Sequence, residues 1–383
     1  MLIKNGLVVD VAGLTASVRD VLIEDGRIAA VGPGLSGSPV IDASGLIVLP
    51  GFVDTHRHMW QTLVRSLAAD VSLGQYIELV LRDEAPRLRP EDTYAGTLAG
   101  AVECLASGIT TVQDYAGTPS FDHASASLDA LKSSGIRALF GYGQPLGGDL
   151  PDAGDVAKAA ELGNDLVSVM LAPLGPSFSS LDEVSRAWQL ARSHDMRIAV
   201  HVGNGPTVGE PISLLRDNGL LGPDITFVHG NSLSDDELAL IGSVGAGVSI
   251  APAVEARMGH GGPVVGRLKR LGVTTGLGVD VVSAVAGDMF SLMRATLMSA
   301  TFGDTHVTPG DVLRMATVDG AAALGMADRI GSIEAGKFAD LVLLRANDVN
   351  LAGTRDVISA VVTAAHPGNV ETVIVAGNVV RAS

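Results

Sequence analysis

The stretch "LPGFVDTHRHMWQTLVR", residues 49–65, decides the fold, because it joins the end of a buried strand to a pair of histidines. Alternate residues of an extended chain face the same side, so His56 and His58 point in one direction. A lone His-x-His pair is more often structural than functional. The rest of the chain therefore has to show whether this pair belongs to a larger site.

Eight short apolar runs recur along the middle of the chain, with helix-like segments between them. One such segment, residues 90–108, has Pro90 near its start, acidic residues in its first turn and Gly108 as its stop. Its apolar stripe would be Ala95, Leu98, Val102 and Leu105. Eight strand–helix units predict an α/β fold, a (β/α)8 TIM barrel. The runs lie at residues 46–58, 109–114, 137–143, 167–173, 197–203, 225–230, 247–252 and 273–280.

Both ends of the chain differ from the middle. The N-terminal runs "LIKNGLVVD" and "DVLIEDGRIAAVG" each hold an Asn-Gly or Asp-Gly pair, which is a strong hairpin signal. The C-terminal runs "GSIEAGKFADLVLL" and "VETVIVAGNVV" repeat this style. We therefore predict a small β-sandwich domain formed by both termini, residues 1–48 and 330–383, around a barrel domain of residues 49–329.

Composition argues against nucleic acid and membrane as partners of this chain. The formal net charge is −16 and the chain has no run of Lys or Arg, so we expect no nucleic-acid partner. The longest uncharged stretch, residues 238–254, is broken by glycines and a proline, so we expect no membrane span. A single cysteine, Cys104, and an N-terminus without a signal-peptide layout fit a cytoplasmic protein. We expect a small-molecule substrate and leave homo-oligomerisation open.

Five side chains with metal-ligand chemistry end the apolar runs: His56, His58, His201, His229 and Asp280. The C-terminal ends of barrel strands meet at one mouth, where barrel enzymes keep their chemistry. Each histidine alone would more often be an ordinary core residue. Their shared position instead predicts a metal centre, because imidazole and carboxylate are good ligands for Zn²⁺ or Fe²⁺.

With these motifs the sequence resembles the amidohydrolase superfamily over essentially its whole length. "LIVLPGFVDTHRH" resembles the first-strand motif, "ATVDGAAALGM" the last helix and "GSIEAGKFADLVLL" the return to the terminal domain. "HRHMWQTLVR" and "APLGPSFSS" resemble the aminohydrolase branch, which includes guanine and 8-oxoguanine deaminases and triazine hydrolases. The fourth strand, "VSVMLAP", has no lysine, so the resemblance implies one metal ion, zinc in preference to iron.

The resemblance also implies roles for individual residues. Asp280 would take a proton from the attacking water, and His229 would hydrogen-bond that water or the developing oxyanion. Gln61 would reach the polar edge of the substrate, with a helix-surface glutamine as the equal alternative. Four side chains would bind the metal ion: His56, His58, His201 and Asp280.

One position departs from the branch. The usual proton-shuttling glutamate, three residues after the fifth-strand histidine, is replaced by Asn204, which can hydrogen-bond but cannot deliver a proton. Glu255 and His260, in the loop "APAVEARMGHGGP", are the candidates to take over, and we expect one or both to project into the pocket. Glu210, also near, is interpreted as a solvated acid.

These features predict a mononuclear metal-dependent hydrolase, deaminase-like, that acts on a C–N bond of a small N-heterocycle or cyclic amide or amidine. A second hypothesis keeps the fold but displaces another leaving group, such as halide, or opens a ring. A third hypothesis, a barrel protein that binds a ligand without catalysis, predicts that metal-binding side chains have been lost. All five are present, so this hypothesis ranks last.

Overall fold

The computed structural model describes residues 1–205 and 209–382. No helix in these two ranges has both the length and the apolar character needed to cross a bilayer. The strands in chain order are β1 Leu2–Asp10, β2 Thr15–Glu24, β3 Arg27–Gly32, β4 Val40–Asp42, β5 Leu46–Pro50, β6 Phe52–Arg57, β7 Ile109–Tyr115, β8 Arg137–Gly143, β9 Val167–Ala172, β10 Ile198–Val202, β11 Ile225–His229, β12 Gly247–Ile250, β13 Thr275–Leu277, β14 Leu341–Arg345, β15 Val370–Val375 and β16 Asn378–Ala382.

Helices separate most of these strands. The segment between β6 and β7 also holds a π-helix, Ile77–Glu84, and two 3-10 helices, Met59–Val64 and Ala85–Arg87; a third 3-10 helix is Pro367–Asn369. The α-helices are α1 Leu73–Tyr76, α2 Pro90–Ala106, α3 Phe121–Ser134, α4 Ala153–Glu161, α5 Leu181–Ser193, α6 Pro211–Asp217, α7 Asp235–Ser243, α8 Pro252–Met258, α9 Val265–Leu271, α10 Met289–Ala300, α11 Pro309–Met315, α12 Val318–Ala323 and α13 Val357–Thr363.

Strands β6 to β13 form one parallel sheet in chain order, which confirms the predicted barrel. The sheet closes through a parallel bridge between Arg57, at the end of β6, and Asp280, three residues beyond β13. Two backbone hydrogen bonds hold this bridge, from Asp280 N to His56 O (2.8 Å) and from His58 N to Asp280 O (3.0 Å). Closure therefore brings Asp280 beside both histidines of the first strand.

Both termini contribute to the second sheet, as predicted. Its order is β16-β15-β14-β5-β1-β2-β3, with β4 beside β1, so it is one continuous mixed sheet. Strand β5 pairs antiparallel with β14 as far as Pro50, so Leu49 and Pro50 lie in this sheet and not in the barrel to which we assigned them. We propose Gly51 as the junction of the two units, because it lies between β5 of the terminal sheet and β6 of the barrel. A Cβ there would lie 2.0 Å from Thr110 Oγ1, so a side chain does not fit.

Helix α2 forms where the sequence predicts it, but the predicted apolar stripe is wrong. Ala95 and Val102 are exposed, whereas Gly96 and Gly100 are buried. A Cβ on Gly96 would lie 2.6 Å from Trp60 O, so the glycines let α2 pack directly against the 3-10 helix Met59–Val64. This contact fixes the segment that follows His58.

Candidate active site

Side chains from four strand ends meet at the C-terminal mouth of the barrel. His56 Nε2 lies 3.2 Å from His201 Nε2 and 3.3 Å from Asp280 Oδ1, and His58 Nε2 lies 3.5 Å from the same Asp280 oxygen. His229 Nε2 lies 3.9 Å from Asp280 Oδ2. The structure thus brings together all five side chains that the sequence singled out for metal chemistry.

The donor set fits one divalent cation. In a tetrahedral site with bonds of roughly 2.1 Å, ligand atoms lie about 3.4 Å apart. The distances from His56 Nε2 to His201 and to Asp280, and from His58 Nε2 to Asp280, are close to this value. Burial, with the neighbouring charge of His56, lowers the pKa of His58 to about 4 and takes that of His201 well below its usual range. Neutral imidazoles are the form that binds a metal ion.

Asp280 is held as a carboxylate by its neighbours. Burial alone would raise its pKa, but the hydrogen bond and charge of His56, with the charges of His229 and His58, bring it well below its usual range. Its backbone has φ +67°, and His229 has φ +78°. Such left-handed conformations are uncommon for residues other than glycine and are concentrated at functional sites.

His58 is oriented from behind by the next strand. Its Nδ1 lies 2.7 Å from the backbone oxygen of Tyr115, which leaves Nε2 directed at Asp280. Such an outer partner fixes the tautomer and the ring direction of a metal-binding histidine. The Tyr115 ring packs edge-on against His201, and its hydroxyl donates to Pro173 O. We did not single out Tyr115, although it too ends a barrel strand.

Glu255, which we favoured over His260 to project into the pocket, is not on the wall of the cavity described below. It is buried behind His229, where Oε1 lies 3.2 Å from His229 Nδ1 and accepts from Ala251 N (2.7 Å). Oε2 accepts from Asn231 Nδ2 (3.1 Å). Helix α8 begins at Pro252, and its first turn directs this side chain inward. Asn231, another residue that we did not single out, follows His229 by two positions.

His260 and Asn204 do line the cavity. The His260 ring is buried and packs edge-on against His229, with ring centroids 4.6 Å apart. Within the described chain, neither of its nitrogens has a hydrogen-bond partner. Burial, followed by the charge of His229, lowers the pKa of His260 to about 4. A neutral ring beside the cluster offers one donor and one acceptor to a ligand.

Gln61 lies behind the cavity wall, and Glu210 is exposed. The Gln61 amide donates to Tyr76 Oη (2.5 Å) and accepts from Ser283 Oγ (2.9 Å), so both ends are already engaged. Gln61 is fully buried, and it is Tyr76 that faces the cavity. Gln61 therefore neither lines the cavity nor lies on the surface of a helix, the two positions that we considered for it.

Two buried carboxylates support the cluster from below and were not anticipated. Asp54 Oδ1 accepts from Val279 N (3.0 Å), which ties β6 to the segment before Asp280. Asp114 Oδ1 accepts from Met59 N (3.1 Å). Burial raises the pKa of Asp54 to about 6 and that of Asp114 to about 7. Asp54 lies two positions before His56 and therefore faces the same side of the strand as His56 and His58. This spacing is the signal that could have identified it.

The cavity above the cluster has a volume of about 280 Å³, near the lower end for small-molecule sites. Its floor is polar, with His58, His201, His229, His260 and Asp280. Its mouth is lined largely by apolar side chains from the segment between β6 and β7 and from the loops after β8 and β9. These include Ile77, Leu81, Leu146 and Phe178.

Comparisons with known proteins agree with this geometry. The model of the amidohydrolase family matches residues 47–380. The 5-methylthioadenosine/S-adenosylhomocysteine deaminase of Symbiobacterium thermophilum is 31% identical over 412 residues, which cover 99% of this chain and 93% of that protein.

Solved structures show the same fold. A zinc-bound adenosine deaminase from Xanthomonas campestris superposes with a TM-score of 0.89 at 27% identity, over 99% of this chain and 92% of that one. The atrazine chlorohydrolase of Arthrobacter aurescens, complexed with zinc, has a TM-score of 0.88 at 23% identity, over 99% and 94% of the two chains.

Proposed function

The chain belongs to the amidohydrolase family, and from that premise we propose that it is a metal-dependent hydrolase that deaminates a small N-heterocycle. The single observation that supports this most strongly is the meeting of four imidazoles and one carboxylate beside the cavity, in two groups of potential ligands that share His56. One group is His56, His201 and His229, and the other is His56, His58 and Asp280. The net reaction would replace an exocyclic amino group by oxygen, with one water consumed and one ammonia released.

His56, His58, His201 and Asp280 would hold the metal ion, and zinc is our proposal because of the zinc-bound adenosine deaminase of Xanthomonas campestris. When bound there, a divalent cation makes water acidic enough to attack near neutral pH. The chain contributes the geometry: the Tyr115 carbonyl orients His58, and the bridge that closes the barrel orients Asp280.

Asp280 would act as the general base. Its carboxylate faces the cavity and would accept a proton from the attacking water. It would then return this proton to the leaving amine. The Nδ1–H of His229 would donate to the Glu255 carboxylate, which leaves Nε2 directed at Asp280. From there His229 would hydrogen-bond the attacking water or the developing oxyanion.

Asn204 would hold the heterocycle instead of protonating it. Its amide lines the cavity and can donate to a ring nitrogen or accept from a ring N–H. His260 offers a second pair of hydrogen-bonding positions on the floor. The 6-aminopurine compounds named for the relatives are consequently the first substrates to test.

Asn204 also favours a second candidate function, the displacement of halide from a chloroheterocycle. A halide leaves without being protonated, so displacement of halide from a chloroheterocycle does not need the acid that Asn204 lacks. The fold of the atrazine chlorohydrolase is shared, although at 23% identity that similarity concerns the fold alone.

The test is a product screen with zinc-loaded protein against aminopurines, aminotriazines and their chloro analogues. Ammonia release that depends on the protein supports deamination, and halide release supports the second candidate. The control is His201→Ala, which removes one metal ligand and should lower both zinc content and turnover. Full turnover by His201→Ala would contradict the proposed metal site.

A further inference from the structure

The described residues at the mouth of the cavity carry no formal charge. Among the described residues that line the cavity, Asp280 is the only acidic one and none is Lys or Arg. Every ionisable group among these lining residues, apart from the tyrosines, thus belongs to the floor.

The segment over the mouth directs its charges away from the cavity. The π-helix Ile77–Glu84 presents Ile77 and Leu81 to the cavity. Three of its four charged residues form ion pairs, Glu78 with Arg82 (2.5 Å) and Glu84 with Arg87 of the next turn (2.8 Å). The fourth, Asp83, is exposed and does not line the cavity. None of the four paired side chains lines the cavity either.

Two large apolar side chains stand exposed at the opposite side of the mouth. Leu146 is 40% exposed and Phe178 is 48% exposed, and both line the cavity. A ligand that lay against them would remove this apolar surface from water, which stabilises the complex. A carboxylate or phosphate in the same place would lose its hydration and gain no partner.

We propose that the substrate is an N-heterocyclic amine with an uncharged, apolar substituent. The ring lies on the polar floor against Asn204 and His260, and the substituent fills the mouth between Leu81, Leu146 and Phe178. This inference rests on the proposed function for the position of the ring. It adds that compounds with an anionic or zwitterionic tail are poor ligands.

The test measures binding with two purines that lack an amino group, so that deamination cannot occur. These are 9-hexylpurine and 9-(5-carboxypentyl)purine, which differ only at the chain end. Calorimetry on the zinc-loaded protein should give roughly tenfold tighter binding, or more, of the hexyl compound, since its terminal methyl gains from burial whereas the carboxylate loses its hydration without a partner. Equal affinities, a preference for the carboxylate, or no binding of either compound would overturn the proposal.

A charge introduced at the mouth should reverse this preference. Leu146→Arg should strengthen binding of the carboxypentyl compound and weaken that of the hexyl compound, whereas Leu146→Met should keep the wild-type order. Val349→Arg adds the same charge at a position that is 98% exposed and outside the cavity, and should change neither affinity. An unchanged ratio in Leu146→Arg would place the substituent elsewhere.

The two proposals fail in different ways. A protein that releases no ammonia in the product screen but still prefers the hexyl compound would refute deamination and leave the apolar mouth established. A protein that deaminates anionic and apolar compounds equally well would refute only the inference about the substituent.

Discussion

Glu255 acts on the candidate site through His229. Its carboxylate is engaged by His229, Ala251 N and Asn231, and these contacts keep it behind the imidazole. A carboxylate behind a histidine sets the tautomer and the direction of the ring. We therefore propose that Glu255 is a positioning residue and that the water and the substrate contact His229.

This position predicts the behaviour of Glu255→Gln. Glutamine keeps the size of the side chain but can offer only one acceptor oxygen, so His229 loses its fixed partner. Changes of this type typically cost about 10–100-fold in activity or metal affinity, and we expect a kcat loss in that range. Steady-state kinetics with zinc analysis checks it. Glu210→Gln, at an exposed carboxylate outside the described cavity wall, should behave as wild type. A wild-type rate in Glu255→Gln would remove Glu255 from the mechanism.

Asn204 allows a prediction of increased activity. Asn204→Glu would place a carboxyl group at the cavity wall, where it can pass a proton to the ring or to the leaving amine. General acid–base assistance is typically worth about 10²–10⁴-fold, so kcat for ammonia release should rise by roughly tenfold or more. Asn204→Gln, which adds the same methylene but no acid, should show no such rise. Equal rates in both variants would mean that Asp280 already supplies the proton efficiently.

At the scale of elements, closure of the barrel positions the base. Strand β13 ends at Leu277, and Gly278 then passes so near β6 that a Cβ would lie 2.8 Å from His56 O and 2.9 Å from His56 N. This approach allows Asp280 to form its two backbone hydrogen bonds with His56 and His58. The glycine is thus a requirement of the site as well as of the barrel.

Gly278→Ala should therefore damage the site. The added methyl would meet the His56 backbone, so β13 and Asp280 would have to move away from the first strand. Overpacking of this kind typically costs about 1–3 kcal/mol, and zinc affinity should fall with stability. Thermal unfolding and zinc titration measure both effects. Gly32→Ala, where a Cβ meets no atom within 4 Å, is the matched control. Unchanged zinc affinity in Gly278→Ala would mean that this contact does not position Asp280.

At the scale of the whole molecule, a buried ion pair joins the barrel to the terminal sheet. Arg137, at the start of β8, donates through Nε to Asp340 Oδ2 (2.6 Å) and through Nη2 to Oδ1 (3.1 Å). Asp340 immediately precedes β14, and both side chains are almost fully buried. The Arg137 guanidinium also stacks on Phe338, 4.3 Å from the ring centroid.

Removal of one partner should be costly, because it leaves the other charge buried and unpaired. For Asp340→Ala we expect a loss of about 3–5 kcal/mol in the free energy of unfolding, measured by urea denaturation. The double variant Arg137→Met with Asp340→Leu should recover much of that loss. Glu78→Ala, in an exposed pair, should have little effect. A small loss in Asp340→Ala would show that water reaches the unpaired arginine.

The sequence by itself determined the eight barrel strands and the residues at their ends. Strand periodicity is local, and parallel strands bring their C-terminal ends to one mouth whatever the loops do. His56, His58, His201, His229 and Asp280 could therefore be assigned to one site from their positions alone. The participation of both termini in one β domain followed from hairpin signals for the same local reason, whereas its form as one continuous sheet came from the structure.

Only the tertiary structure decided which way the remaining side chains point. Glu255 follows its strand as the sequence suggests, yet α8 turns it towards His229 and away from the cavity. Gln61 is engaged by Ser283, 222 positions away along the chain. Side-chain direction beyond a strand end depends on packing and on hydrogen bonds between distant segments, and no local pattern encodes those partners.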